Sequence, residues 1–283
     1  MGERLGLIAG SGRFPLLVAE QARRAGLEVV ALGLPGVTDP ALEALVFRLE
    51  FFKLGQIDAP VRYLRESGVK KAVMAGKVQH ASLFGGVLPD LRAVRLLAGL
   101  KDKRTDTVLG AIADEFKKEG IELISSAAYL GHLLPEEGVL SRRKPSAEES
   151  ADALLGWKAA KALAGFDVGQ SVAVQGGAVV AVEGMEGTDA MIARAGEIAR
   201  SHGRAPRLTL VKVAKPKQDF RFDLPVVGLD TLASLRGAGA VHLCLEARKT
   251  LIFDRPEFLR GADEMGLSIA AVSEDTVEKG GRT

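Results

Sequence analysis

The feature that most constrains this chain is a unit that recurs through its first half. A short apolar run meets a glycine turn, and a stretch with helical spacing follows. Leu5-Gly6-Leu7-Ile8-Ala9 runs into Gly10-Ser11-Gly12, and helical periodicity over 14–25 ends at Gly26, a residue suited to the helix stop. The next apolar run is 27–32, and Asp39-Pro40 has the form of an N-cap with proline in the first turn. Helical spacing returns over 57–66 and stops at Gly68. Lys71–Ala75 reads as a strand, Thr105–Lys118 as an amphipathic helix and 121–124 as another strand. Short buried runs alternating with helices predict a parallel sheet covered on both faces. Residues 1–130 are therefore expected to form a Rossmann-like α/β domain that takes a nucleotide or a phosphate.

Residues 131–145 interrupt the alternation. They hold Pro135, Gly138, Pro145 and the Arg142-Arg143-Lys144 run, and read as a linker. Ser146-Ala147-Glu148-Glu149 then has the form of a capping box opening a helix to about 164. The rest of 146–283 is mixed. Two β-prone runs, Ser171–Gln175 and Ala178–Val182, flank Gly176-Gly177, which is a hairpin signature. A helix over 189–201 and a strand over 207–213 follow. Helix 230–236, strands 240–246 and 250–254, helix 256–265 and strand 268–272 complete a second, mixed α/β domain, expected to be the catalytic one.

Charge and composition exclude several function classes. Lys and Arg total 38 against 36 Asp and Glu, a net charge of +2, with no basic tract and 5% aromatics. A nucleic-acid partner is not expected from that balance. Cys244 is the only cysteine, so it forms no intrachain disulfide and no cysteine zinc site, and it reads as a small buried residue. No apolar run approaches the length of a membrane span, and the first residues lack the order of a signal peptide. A chain without an export signal is thus expected. His80, His132, His202 and His242 share no metal-ligand spacing.

Four constellations could carry chemistry. Gly10-Ser11-Gly12-Arg13-Phe14-Pro15 follows the first strand, where glycines let backbone amides approach a phosphate at the positive end of a helix. It lacks the third glycine of the dinucleotide fingerprint, and Leu32-Gly33-Leu34-Pro35 puts no acid at the end of the second strand to hold a ribose. A tight strand-to-helix turn explains the loop equally well. Gly76-Lys77 ends another strand and could hold a phosphate, or be a turn with a solvated lysine. Glu183-Gly184-Met185-Glu186-Gly187-Thr188-Asp189 offers more oxygen donors than a helix cap needs, and Mg²⁺ favours oxygen donors. In Lys215-Pro216-Lys217-Gln218-Asp219-Phe220-Arg221-Phe222-Asp223-Leu224-Pro225, lysines could neutralise a pyrophosphate and an aspartate could hold a metal or a water. A charged surface loop is the plain alternative.

These residues carry a resemblance that runs from end to end of the chain. Gly10-Ser11-Gly12 with Phe14-Pro15, Met74-Ala75-Gly76-Lys77-Val78, Asp106, Val182-Glu183-Gly184, Glu186-Gly187-Thr188-Asp189-Ala190, Lys215-Pro216-Lys217 and Arg221-Phe222-Asp223-Leu224-Pro225 together resemble the LpxI-type UDP-2,3-diacylglucosamine pyrophosphatases. The resemblance implies a Mg²⁺-dependent hydrolase that cleaves UDP-2,3-diacylglucosamine to UMP and 2,3-diacylglucosamine 1-phosphate, a step towards lipid A. It implies two domains joined by a linker, with the substrate between them, and places the acid most tied to catalysis at Asp223. On that basis Asp223, Asp189, Thr188 and Lys215 are the catalytic candidates, with Asp223 and Asp189 as metal ligands. Gly10, Ser11, Gly12, Gly76, Lys77, Asp106 and Lys217 are the substrate-binding candidates, with little weight on Lys77. The glycine-bearing run Leu83-Phe84-Gly85-Gly86-Val87-Leu88-Pro89 is a candidate for acyl or dimer contact, beside ordinary packing. A cytoplasmic protein touching the inner-membrane surface transiently, and a homodimer, are expected. A nicotinamide-dependent oxidoreductase and a non-catalytic nucleotide-sugar sensor are the rival readings.

Overall fold

The computed structural model describes residues 2–283 apart from 79–88, 103–104, 202, 204 and 281–283, and of 105–106 and 278–280 it describes the backbone alone. His80, His202 and the 83–88 part of the apolar loop lie outside the described residues, as does the side chain of Asp106. The chain divides into two units. One comprises Met1–Gly131 with Asp219–Asp223, the other His132–Gln218 with Leu224–Thr283.

The first unit is built on five strands: β1 (Arg4–Ala9), β2 (Glu28–Gly33), β3 (Arg48–Phe51), β4 (Lys71–Ala75) and β5 (Glu122–Leu123). Every pairing is parallel, in the order β3-β2-β1-β4-β5. That is the doubly wound order, in which the connection reverses between β1 and β4 and leaves a crevice at their carboxyl ends. The helices are α1 (Phe14–Arg24), α2 (Asp58–Glu66), α3 (Leu91–Ala98) and α4 (Thr105–Lys118). Asp39 caps a short 3-10 turn, Pro40–Leu45, by accepting from the Ala41 amide at 2.9 Å. A core cluster holds Leu64, Phe116, Ile121 and Leu123 among others.

Two elements of this unit were not legible as such. Edge strand β3 buries little, so Arg48-Leu49-Glu50-Phe51 carries no run of apolar residues. Helix α3 turns Leu91, Val94 and Leu97 outward, so its apolar residues do not mark a core-facing stripe.

The second unit holds a six-stranded mixed sheet, β6-β13-β11-β9-β7-β8. Its strands are β6 (Gly138–Val139), β7 (Ser171–Gln175), β8 (Ala178–Val182), β9 (Leu208–Lys212), β11 (Ala240–Glu246) and β13 (Ser268–Val272), while β10 (Val226–Val227) pairs separately with β12 (Leu251–Ile252). Strands β9, β11 and β13 are parallel, and β6, β7 and β8 run antiparallel to their neighbours. The β7–β8 hairpin turns on Gly176 and Gly177, both at positive φ (59° and 76°). Their amides donate to the Asp152 carboxylate at 2.9 and 2.7 Å. The expected capping box is present, with Glu149 donating its amide to Ser146 Oγ and accepting the Ser146 amide.

Helix α5 (Ala147–Gly165) packs on one sheet face with Val172, Val174, Val211 and Val213. The other face packs Ala173, Leu208, Leu210, Leu243 and Leu245 against α6 (Thr188–Ser201), α7 (Leu229–Ala238) and α8 (Arg255–Glu264). A short α9 (Glu274–Gly280) follows β13. Strand parity thus assigns each strand-end residue to a face. Lys212 shares the face of Leu208 and Leu210, towards α6. Glu246 shares the face of Cys244, towards α5.

The stretch read as a linker is folded into the second unit over much of its length. Val139 and Gly138 pair with β13, and Arg143 binds Glu149 at 2.9 Å, the Gly266 carbonyl at 2.6 Å and Ser268 Oγ at 3.0 Å. A guanidinium with five donors can satisfy several acceptors at once, which a charge run read in sequence does not disclose.

Candidate functional site

In the first unit the two glycine loops meet at the crevice between β1 and β4. The Gly10 amide donates to the Ala75 carbonyl at 2.8 Å. Ser11 and Lys77 exchange both backbone hydrogen bonds, at 2.9 and 3.1 Å, and Ser11 Oγ donates to the Lys77 carbonyl at 2.9 Å. A Cβ on Gly10 would sit 2.7 Å from the Lys77 carbonyl oxygen, and one on Gly76 would sit 2.7 Å from that of Ser11. Both glycines are therefore required by the approach of one loop to the other. The structure brings Gly10, Ser11, Gly12, Gly76 and Lys77 together, but it spends three of the amides on loop pairing. Gly12, at φ +86°, leads into α1.

The segment Asp219–Asp223 belongs to this unit although its neighbours in sequence belong to the other. Phe222 packs against the core cluster, and the Phe220 carbonyl accepts from the Ser126 amide at 3.1 Å. Ser126 follows β5, so the segment is tethered at the same carboxyl edge of the sheet as the glycine loops. Asp219 and Arg221 neutralise each other at 2.7 Å; the Arg221 hydrogen bond holds the Asp219 carboxyl below its ordinary range. The Asp219 carbonyl accepts the amides of Phe222 and Asp223 at 3.0 and 3.3 Å, which winds the segment into a turn. Asp223 ends that turn, exposed. An apolar anchor and a backbone tether therefore present a carboxylate outward.

In the second unit the candidates gather where β9 and β11 end. Lys212 is buried, and its Nζ donates to Thr188 Oγ1 at 2.7 Å and to Ser171 Oγ at 3.2 Å, with Glu183 at 3.9 Å. Thr188 in turn donates to Glu183 Oε1 at 2.8 Å. Burial pushes the Glu183 carboxyl up, but Lys212, the Ser171 and Thr188 hydroxyls and the Gln170 amide outweigh it, and the net position is below the ordinary value. Glu186 pairs with Arg194 at 2.5 Å. The oxygen-rich run that suggested a metal site is thus largely committed to cations and hydroxyls of its own unit, leaving Asp189 exposed in the first turn of α6. Lys215 pairs with Asp167, which holds a positive φ of 60°, and Lys217 is exposed.

Asp189 and Asp223 lie in different units. Among the described residues no group of three or more His, Cys, Asp or Glu side chains forms a metal cage. Each of these exposed carboxylates is, taken in its own unit, of the kind that Mg²⁺ uses when it binds through one or two carboxylates, several waters and the phosphates of a substrate.

Lys212, Lys161 and Glu246 were missed, while Glu183 was read without its cation. The available signal was a charge closing each of two apolar strands, Leu208–Lys212 and Ala240–Glu246. His242 and Cys244 are structural: burial pushes the imidazole down to about 4 and the thiol up to about 12. A cleft of about 1060 Å³ in the first unit is lined by Asp58, Asp90, Arg92 and Asp114 among others, and among the described residues none of the nominated ones lines it. Its Arg92 is bound by Glu115 at 2.7 Å and Glu119 at 3.1 Å. Among the described residues no helix is long and apolar enough to cross a membrane.

Comparison with known proteins gives a consistent picture over nearly the whole chain. Residues 4–133 match the LpxI N-terminal domain and residues 136–270 the LpxI C-terminal domain. The UDP-2,3-diacylglucosamine pyrophosphatase LpxI of Caulobacter vibrioides (strain ATCC 19089 / CIP 103742 / CB 15) is 32% identical over 275 residues, which cover 95% of this chain and 97% of that one. Among solved structures, the biotin carboxylase subunit of a pyruvate carboxylase aligns at 13% identity and a TM-score of 0.26, over 72% of this chain and 41% of that one. The biotin carboxylase domain of the Hydrogenobacter thermophilus 2-oxoglutarate carboxylase aligns at 12% identity and 0.26, over 72% and 43%. Those two likenesses are too slight to carry an argument.

Proposed function

The chain belongs to the LpxI family, and from that membership we propose that it is a UDP-2,3-diacylglucosamine pyrophosphatase. It hydrolyses the pyrophosphate bond of UDP-2,3-diacylglucosamine, releasing UMP and 2,3-diacylglucosamine 1-phosphate for lipid A synthesis. The observation that carries the reading is a relative of that name at 32% identity across 95% of the chain. The anchored turn that presents Asp223 supports it from the structure.

Water is the nucleophile in this proposal, with no protein nucleophile nominated. Asp223 would orient the attacking water or hold Mg²⁺, and Asp189, in the other unit, would be a metal-binding carboxylate. Bound Mg²⁺ would withdraw charge from the pyrophosphate oxygens. Lys215 and Lys217 offset the remaining charge as it moves to the leaving phosphate. Thr188 acts from within the Lys212–Glu183 network, whose hydrogen bonds fix the start of α6 and so the position of Asp189. Gly10, Ser11, Gly12, Gly76, Lys77 and Asp106 take part in substrate binding. The enzyme works in the cytoplasm as a homodimer, meeting its diacylated substrate at the membrane surface. The outward apolar residues Leu91, Val94 and Leu97 of α3 support that contact.

The test is to incubate the protein with UDP-2,3-diacylglucosamine in Mg²⁺ and in EDTA and to measure UMP. Release in Mg²⁺ that EDTA abolishes is the expected result. Release that is indifferent to EDTA removes the metal from the proposal. No release in either overturns the function.

A further inference from the structure

An ion pair between a buried carboxylate and a partly buried lysine holds the root of the loop that carries Lys215 and Lys217. Glu246 closes β11 and is 1% exposed. Its Oε2 accepts from Lys161 Nζ at 2.7 Å and from the Ala214 amide at 2.8 Å. Its Oε1 accepts from Lys161 Nζ at 2.8 Å and from Lys249 Nζ at 2.7 Å. Lys161, on α5, also donates to the Ala214 carbonyl at 3.2 Å and lies 5.3 Å from the centre of the Trp157 ring. One acid and one lysine thus hold both backbone groups of Ala214, the residue before Lys215. From there the chain makes a short turn in which the Lys215 amide donates to Gln218 Oε1 at 3.0 Å.

Strand parity makes this arrangement specific. Glu246 faces α5, while Lys212 two residues before Ala214 faces α6, so the end of β9 is gripped from both sheet faces. Stability does not demand an ion pair in such a place. Desolvation offsets much of its Coulomb energy, and packed apolar side chains of similar volume often serve as well. What a charged pair adds is direction: an aligned carboxylate and ammonium fix the two peptide units that flank the Ala214 Cα, which apolar packing does not.

We propose that Lys161 and Glu246 are a positioning pair for the pyrophosphatase reaction, fixing Ala214 so that Lys215 and Lys217 are set for the charge that develops on the pyrophosphate. The inference rests on the function proposed above and adds to it two residues that touch no substrate. A shift of about 1 Å in a charge-stabilising group costs on the order of 100-fold in rate. The effect should therefore fall on kcat rather than KM.

The discriminating variant replaces both partners by apolar residues, Lys161→Met with Glu246→Leu, and Glu246→Gln serves as a conservative single change. UMP release from UDP-2,3-diacylglucosamine is measured alongside thermal melting. The expected result is a double variant that still folds, melting no more than about 10 °C below wild type because the Ala214 backbone groups lose their partners, while kcat falls about 10- to 100-fold and KM moves less than about threefold. Glu246→Gln keeps an acceptor for the Ala214 amide and should lose less kcat than the double variant. If the double variant does not fold, Glu246→Gln decides alone: kcat lowered at least about fivefold supports the pair, and wild-type kcat overturns it. A stable double variant with wild-type kcat also overturns it and leaves the function standing. Wild-type protein that releases no UMP overturns the function and the inference together.

Discussion

Lys212 Nζ donates to Thr188 Oγ1 at 2.7 Å, and that same hydroxyl donates to Glu183 Oε1 at 2.8 Å. The threonine is the bridge between a buried cation and a partly buried anion, so it ties down the first turn of α6. Replacing Lys212 by Met leaves Glu183 desolvated with no cation, which should cost about 3–5 kcal/mol. Urea unfolding at neutral pH measures it. The carboxyl of Glu183 is held below its ordinary 4.5, so its contribution is present above that value and lost as pH falls through the lower, folded value. Glu183→Gln should therefore flatten the acid limb of the stability curve below about pH 4.5.

A second pair of residues separates two roles for glycine. Gly76 has φ +93° and its Cβ would press on the Ser11 carbonyl, whereas Gly12 has φ +86° with open space around it. Gly76→Ala should cost about 3 kcal/mol, combining strain with overpacking. Gly12→Ala should cost about 1–2 kcal/mol, from the backbone alone. Denaturant midpoints of the two variants should rank in that order, and equal midpoints would show that loop contact adds nothing.

Buried His242 is neutral in the fold because burial pushes its pKa down to about 4 from 6.5. Below pH 6.5 the unfolded chain takes up a proton that the folded chain refuses until about pH 4. Stability should thus be full above about pH 6.5 and decline as pH falls towards 4, by at most about 3 kcal/mol from this residue. His242→Leu should remove that slope between pH 6.5 and 4. A slope unchanged in the variant would place its origin elsewhere.

How much of this was legible follows from what each residue contacts. Strands β1, β2 and β4 are buried runs closed by glycines, and the β7–β8 hairpin carries its turn in two adjacent glycines. Both signals are local, and both were read. Strand β3 is an exposed edge and α3 shows its apolar side outward, so neither bears the pattern that burial imposes. The tethering of Asp219–Asp223 in the first unit depends on Ser126, some 90 residues away in sequence, and on the packing of Phe222. No local periodicity encodes a contact of that range. The motif identified Asp223 as a residue to watch, and the fold supplied the reason it is held outward. The Glu183–Asp189 run was legible as oxygen-rich but not as occupied, because its cation, Lys212, comes from another strand.

On the function proposed above, Asp223 serves the hydrolysis. It is exposed at the end of a turn whose anchor is Phe222, so the turn and the unit should still fold when Asp223 is replaced. The direct measurement is UMP release from UDP-2,3-diacylglucosamine by wild type and Asp223→Ala side by side, at saturating Mg²⁺ and with melting recorded for both. The expected result is a folded variant with turnover reduced at least about 100-fold. A folded Asp223→Ala protein that turns over at the wild-type rate would contradict the account.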